Sequence, residues 1–474
     1  METATRATAH RSTVLIITTI ASFLVPFMTS SITVALPAIG SAYSMNVITL
    51  GWVSTAYMLA SASLLVPFGK IADMYGRRRI FVLGVFVFTV GSALSAVSVS
   101  GPMLLISRAV QGVGGAAQFS TAIAILTSAY LGAERGRVLG INTASVYLGL
   151  SLGPVLGGVI TETMGWQSIF TISSALSVIV FIVTLWRLKG ETVEAKREKF
   201  DLPGSGIYAV ALVLIMYGVS LLPAGNSIWL IGGGAVAAGL FVWWETKSGT
   251  PMLDLHMFRR NRAFTFSNLA ALVNYSGTWA VAFLMSLYLQ YVRGLDPEAA
   301  GLVLISSPAV QAILSPLAGR LSDRMEPRLL ASAGMAMTGA AIGMLAFITA
   351  TTSEVYIIVC LVMLGFGFAL FSSPNTNAVM SSADHSHYGI ASATLATMRQ
   401  MGMMVSMGIV WIVFGLVIGR VEITPEYYPA LVKSVRLAFL ISAGLCFAAI
   451  YFSMARGNIH ETAERPVRER DRAR

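Results

Sequence analysis

The sequence predicts an all-α integral membrane protein made of two related halves, and three observations predict it. Of 474 residues, 55% are hydrophobic and only 11% charged, with a mean hydropathy of +0.74; soluble domains carry about 25% charged residues. The charges are sorted between apolar runs about as long as the roughly 20 residues that a bilayer crossing needs. Finally, the polar stretch GKIADMYGRRRI, 69–80, returns 250 positions later as GRLSDRMEPRLL, 319–330. Gly69 matches Gly319, Lys70 matches Arg320, Asp73 matches Asp323 and Arg78 matches Arg328. A basic hairpin repeated at corresponding places marks internal duplication of a membrane protein; the plainer reading is two ordinary cytoplasmic loops.

Fourteen spans are expected in order. The first six are 14–36, 50–68, 80–99, 102–126, 138–160 and 167–187. The first run is too long for a cleavable signal, and further spans follow it at once. The charged linker 187–200 leads to 204–222 and 228–245, the weakest pair because glycine and proline interrupt it, and then to a second polar linker, 245–262. The last six spans are 264–291, 299–318, 330–349, 355–377, 389–418 and 434–454. The domains expected are 1–187 as a first six-helix bundle, 188–262 as linkers with two extra helices, 263–456 as a second bundle, and 457–474 as a basic tail too polar to order itself. Cys360 and Cys446 lie inside apolar runs and read as packing residues.

The net charge of +10 is read as positive charge held in cytoplasmic loops, not as a nucleic-acid surface. Lys70, Arg77, Arg78, Arg79, Arg135, Arg137, Lys196, Arg259, Arg324 and Arg328 all fall on one side, against Arg293, Arg420 and Lys433 on the other. Both termini are therefore expected in the cytoplasm, which requires an even number of spans.

Four stretches match a known family. WVSTAYMLASASLLVPFGKIADMYGRRR, 52–79, is similar to a second helix running into a signature loop; RAVQGVGGAA, 108–117, to a fourth-helix motif; GLSLGPVLGGVI, 149–160, to a fifth-helix antiporter motif; and TVALPAI, 33–39, to the end of a first-helix motif. On these residues the chain resembles the major facilitator superfamily, in its fourteen-helix drug:proton antiporter branch. The resemblance covers the whole chain in order. It implies two six-helix bundles around a central cavity with two helices inserted between them. The function it implies is secondary-active, multi-pass transport at the plasma membrane, exporting small molecules in exchange for protons.

The candidate residues follow. Gly69 and Gly76 permit a tight turn with positive φ, and Asp73 can pair with Arg77 or face a helix N-terminus. By resemblance, Gly69, Asp73, Gly76, Arg77 and Arg78, with Asp323 and Arg328 in the repeat, latch the bundles in one conformation. Arg108 sits inside the fourth span with Gln111 one turn on. A cation at mid-membrane costs about 2.5–3.5 kcal/mol on insertion scales, so it either faces a cavity or partner or snorkels to the interface. Gly149, Gly153, Gly157 and Gly158 make a smooth groove for close helix approach, and Pro154 among them bends the helix. Arg399 lies in span thirteen with Met403, Met404 and Met407, which either accept varied apolar ligands or fill core. Asn274, Gln311 and Asn375 either line the cavity or bond helices together.

The family's first span usually carries an Asp nine residues before the Pro of its ALP stretch, and here Met28 stands there. Glu162, at the end of span five and expected near Arg108, is then the remaining candidate to carry a proton. No metal pair, phosphate loop or nucleophile elbow is present in the sequence, so neither an enzyme nor a cofactor is expected. The expected partners are a small-molecule substrate, the proton and the lipid bilayer, for a monomer; an uncoupled facilitator and a non-transporting receptor or scaffold on the same fold are the rivals.

The topology has a direct test. An impermeant thiol reagent added outside should label cysteine placed at Asn226 or Thr424 but not at Lys196 or Asp384; labelling at position 196 would overturn it.

Overall fold

The computed structural model describes residues 2–130, 134–188, 201–249, 258, 261–322, 324–382 and 388–457, and among them every regular element is helical. Among the described residues fourteen helical stretches are long and apolar enough to cross a membrane, the ninth and tenth each made of two α-helices, so that sixteen α-helices build them. In order they are α1 (Glu2–Tyr43), α2 (Val47–Tyr75), α3 (Arg77–Ala96), α4 (Gly101–Ala129), α5 (Glu134–Met164) and α6 (Gln167–Arg187). Then come α7 (Leu202–Ser220), α8 (Ser227–Lys247), α9 (Arg262–Thr278), α10 (Ala280–Leu287) with a π turn over Tyr288–Val292, α11 (Pro297–Leu304) and α12 (Ser306–Ser322). The last are α13 (Pro327–Leu345), α14 (Glu354–Ser381), α15 (Tyr388–Val417) and α16 (Tyr428–Ala455).

The inserted pair is fully helical despite its glycines. Asp201 caps α7, accepting from the Gly204 amide at 2.9 Å, and the Trp244 indole of α8 donates to the same carboxylate at 2.9 Å. One buried acid thus starts a helix and ties it to its neighbour.

The structure corrects several boundaries. Gly69 does not turn the chain; it lies inside α2, and Gly76 alone reverses direction, at φ 108° with its amide on Ala72 O. The helix continues because Lys70–Tyr75 holds no proline and is mostly good helix former. Spans nine and ten are each broken. At the first break the free Ala280 amide is met by Ser406 Oγ of α15 at 3.0 Å. The second, at Ile305, lies where Pro308, lacking an N–H, leaves the Leu304 carbonyl without its helical donor.

The chain forms two compact units. The first holds 1–252, 282–305 and 414–431, so parts of α10 and α11 pack with the first eight helices. The second holds 253–281, 306–413 and 432–474. Val14, Ile17, Leu24, Phe81, Val85 and Leu126 form a core in the first unit; Phe264, Tyr275, Met335, Phe371 and Leu395 form one in the second.

In the first unit, glycine and serine set the fit of α5 on α1. A Cβ on Gly149 would stand 2.6 Å from Phe23 O, one on Gly153 2.5 Å from Ser30 Cβ and one on Gly157 2.6 Å from Ser31 Cα. Gly158 instead faces Pro297 O, at the start of α11. Pro154 has no N–H, so the carbonyl four residues back, Leu150 O, loses its helical donor. Ser30 Oγ of α1 fills that place at 2.9 Å, and Ser31 Oγ donates to Gly153 O at 3.0 Å. The arrangement recurs at Pro37 of α1. Its freed carbonyl, Thr33 O, accepts from Ser286 Oγ of α10 at 2.6 Å, and Gln290 Nε2 reaches Val34 O at 2.8 Å.

A double-mutant cycle tests this. Ser30→Ala should cost about 0.6–1.7 kcal/mol of stability. The cost should largely vanish in a Pro154→Ala background, where the restored amide at position 154 bonds Leu150 O. Thermal unfolding of the purified variants reads the cycle, and equal losses in both backgrounds would refute it.

Candidate functional site

Arg108 is the largest charged side chain buried in the first unit, at 1% exposure. It stands seven residues into α4, about 10 Å from the helix start. It does not snorkel. Its Nε donates to Val53 O of α2 at 2.9 Å and its Nη1 to Gln111 Oε1, while Gln111 Nε2 donates to Ser92 Oγ of α3 at 2.7 Å. The guanidinium carbon lies 4.7 Å from the Tyr57 ring centre and 5.9 Å from that of Phe170 on α6. Two aromatic faces and a backbone carbonyl thus replace a counter-ion. The glycines of the same motif bring the ring there: a Cβ on Gly112 or Gly115 would collide with Tyr57, on its carbonyl and hydroxyl respectively.

Met28 lies against the next turn of α6. It is 1% exposed, and Ser173 Oγ donates to its Sδ at 2.5 Å. Glu162 does not join this group. It is exposed near the end of α5.

The second unit holds a counterpart. Arg399 Nη2 donates to Thr376 Oγ1 at 2.5 Å, and its guanidinium lies 5.7 Å from the Tyr275 ring centre. Tyr275 packs edge-on against Phe368 at 5.3 Å and Phe371 at 6.3 Å. Met404 and Met407 are buried at 1%, while Met403 and Gln311 are half-buried. Asn375 bonds helices together: its Nδ2 donates to Ser267 O at 3.2 Å and its Oδ1 accepts from Arg456 at 3.0 Å. Asn274 is fully buried with both amide atoms unpartnered.

In the basic hairpins, Arg78 donates to Leu185 O at 3.5 Å, and the Arg328 carbonyl accepts from Ser453 at 3.3 Å. The Asp73 side chain and Asp323 lie outside the described residues. Two residues escaped the sequence reading. Arg456, expected in the region where the polar tail begins, is 2% exposed and also donates to Ser267 Oγ at 3.2 Å. Burial pulls its guanidinium down to about 10, with Glu326 opposing the shift and Arg328 adding to it. Glu245, at the last turn of α8, is 3% exposed. Neither has a sequence signal beyond its place at the edge of an apolar run.

The Arg108 network sets an expectation. A lysine has no planar fork to hold Val53 O and Gln111 at once. Arg108→Lys should therefore lower initial flux about tenfold or more, with the purified variant still folded; near-normal flux would reduce Arg108 to a packing role.

Comparison with known proteins agrees with this architecture. The family model described as Major Facilitator Superfamily matches residues 18–407 and 267–473. The chain is 31% identical to the riboflavin transporter RibZ of Clostridioides difficile (strain 630), over 93% of this chain and 96% of that protein. It is 32% identical to the multidrug resistance protein Stp of Mycobacterium tuberculosis (strain CDC 1551 / Oshkosh), over 82% of this chain and 73% of the relative. Among solved structures, a bacterial homologue of the human lysosomal transporter Spinster, inward-facing and unoccupied, superposes with a TM-score of 0.70 at 18% identity, covering 94% of this chain and 97% of that one. With fourteen apolar helices and a family model matched from residue 18 to residue 473, this chain belongs to the major facilitator superfamily, whose members are multi-pass membrane transporters and not enzymes.

Proposed function

We propose that the protein is a secondary-active exporter of small amphipathic molecules, drugs among them, driven by the proton gradient and working by alternating access. It sits in the plasma membrane with both termini cytoplasmic. Export is supported by likeness to a multidrug resistance protein, and the orientation by the distribution of Lys and Arg.

The observation that carries the substrate class is the charge of the spans. Among the described residues the charges set about two turns or more into the spans are cations, Arg108, Arg399 and, in α16, Arg436. The described carboxylates, Glu162, Asp201, Glu245, Asp296, Glu298, Glu326, Glu354, Glu422 and Glu426, stand at helix ends or in loops. At an effective dielectric of about 20, one unit charge about 10 Å from Arg108 is worth about 1.7 kcal/mol, more than tenfold in binding. The sign repels cations, so the substrates are neutral or anionic. Riboflavin, the named substrate of one relative, is uncharged and fits that class. The proton carrier is then a carboxylate at a helix end, and Glu162, open to solvent, is our candidate. The lack of a mid-span carboxylate among the described residues favours one second reading, an uncoupled facilitator.

Flux into proteoliposomes decides between them. With an imposed pH gradient, riboflavin or an anionic amphipath should move about tenfold faster than a lipophilic cation of similar size, and Glu162→Gln should remove the pH dependence. Gradient-independent flux would establish the facilitator, and robust proton-driven export of the cation would overturn the charge argument.

A further inference from the structure

We propose that the first unit holds a phospholipid site at the membrane-boundary end of α2, α4 and α7, with an anionic headgroup on Arg420 and an acyl chain below it. A cleft of about 330 Å³ opens there, within the range of small-molecule sites. Its lining is graded. Asn46, Thr49 and Arg420 line it at the start of α2 and in the segment after α15, and Trp52, Leu105 and Tyr217 line it further along α2, α4 and α7. Trp52 lies five residues into a helix that starts at Val47, about 8 Å from the helix start. Polar groups at one end and apolar ones further along match the layering of a phospholipid, headgroup above and hydrocarbon beneath.

The cation is the distinguishing feature. On the expected topology Arg420 lies on the side depleted of Lys and Arg, so its charge does no topological work. One nitrogen, Nη2, donates to Ser220 O at the C-terminus of α7, at 2.9 Å. That bond fixes the guanidinium at the cleft. Its other donors belong to a planar fork that suits a phosphate.

The segment that carries Arg420 is held in place. The Val47 amide donates to Val421 O at 3.3 Å, and Gly415 closes on the Leu222 carbonyl, where a Cβ would stand 2.7 Å away. Trp52 of α2 meets Tyr217 of the inserted α7 edge-on at 6.2 Å. These are the aromatic types that sit at the level of lipid headgroups. One wall of the cleft is the inserted helix, so a bound lipid would mortar the inserted pair to the helices before it.

Native mass spectrometry of the delipidated full-length protein tests this, with dioleoyl-phosphatidylglycerol and inorganic phosphate as separate probes. Wild type should retain phosphatidylglycerol about tenfold more tightly than Arg420→Ala, with Arg420→Lys between them. Trp52→Leu should weaken retention while leaving the cation in place. Should the alanine variant fail to fold, Arg420→Lys and Trp52→Leu carry the test. Equal retention by wild type and variants means annular lipid only and overturns the proposal. Stabilisation by inorganic phosphate equal to that by the lipid overturns it as well, since the ligand would then be a soluble anion.

Discussion

The first unit depends on one rule of the bilayer: a backbone carbonyl with no donor finds no water to replace it. Pro154 and Pro37 each strand a carbonyl one turn back, and each is rescued by a serine from another helix, Ser30 for Leu150 O and Ser286 for Thr33 O. The bends made by the prolines therefore do not weaken the helices. They convert internal hydrogen bonds into bonds between helices, and these specify which helices meet. Glycines at 149, 153 and 157 remove the side chains that would keep the backbones too far apart for a serine to reach. The groove and the hydrogen bonds are one device. Lipid tails are as apolar as leucine, so in a membrane close packing and directed polar contacts must supply the specificity that water supplies in a soluble core.

The same scarcity of water governs the charges. Each unit has a mid-span arginine laid against a tyrosine ring, Arg108 on Tyr57 and Arg399 on Tyr275. Neither meets a carboxylate among the described residues; each is held by neutral donors and acceptors and a ring face. An ion pair there would cancel the field of both partners. A cation solvated by dipoles and π faces keeps its field. The unpartnered amide of Asn274 in the second unit is a further polar group held away from water. Like the broken helix that follows it at Thr278, such features belong to transport paths more often than to inert packing.

Much of this was legible in the residues. The number and order of spans followed from apolar length alone, because a bilayer of fixed thickness imposes a length on every crossing. The pairing of Arg108 with Gln111 followed from helix spacing. Other features were not legible, for reasons of geometry. Gly69 had the composition of a turn, yet a helix is not obliged to stop at a glycine, and α2 runs on to Gly76. Glu162 is near Arg108 in span order, but the end of a helix can point its side chains anywhere around the axis. Arg456 read as the start of a polar tail, and only the fold shows it turned inward to Ser267 and Asn375.

Sequence by itself therefore determined the class of the protein: helical and membrane-spanning, with cations inside its spans. Those properties depend on composition and on distance along the chain, and both are written in one dimension. Tertiary structure decided which carbonyl each serine satisfies, which ring each arginine lies on, and that residues 282–305 and 414–431 fall in one compact unit with the first eight helices. Those choices depend on the rotation of one helix about its axis relative to another. A shift of about 100° per residue changes every contact while leaving hydropathy unchanged, so no pattern of apolar and polar residues could have settled them.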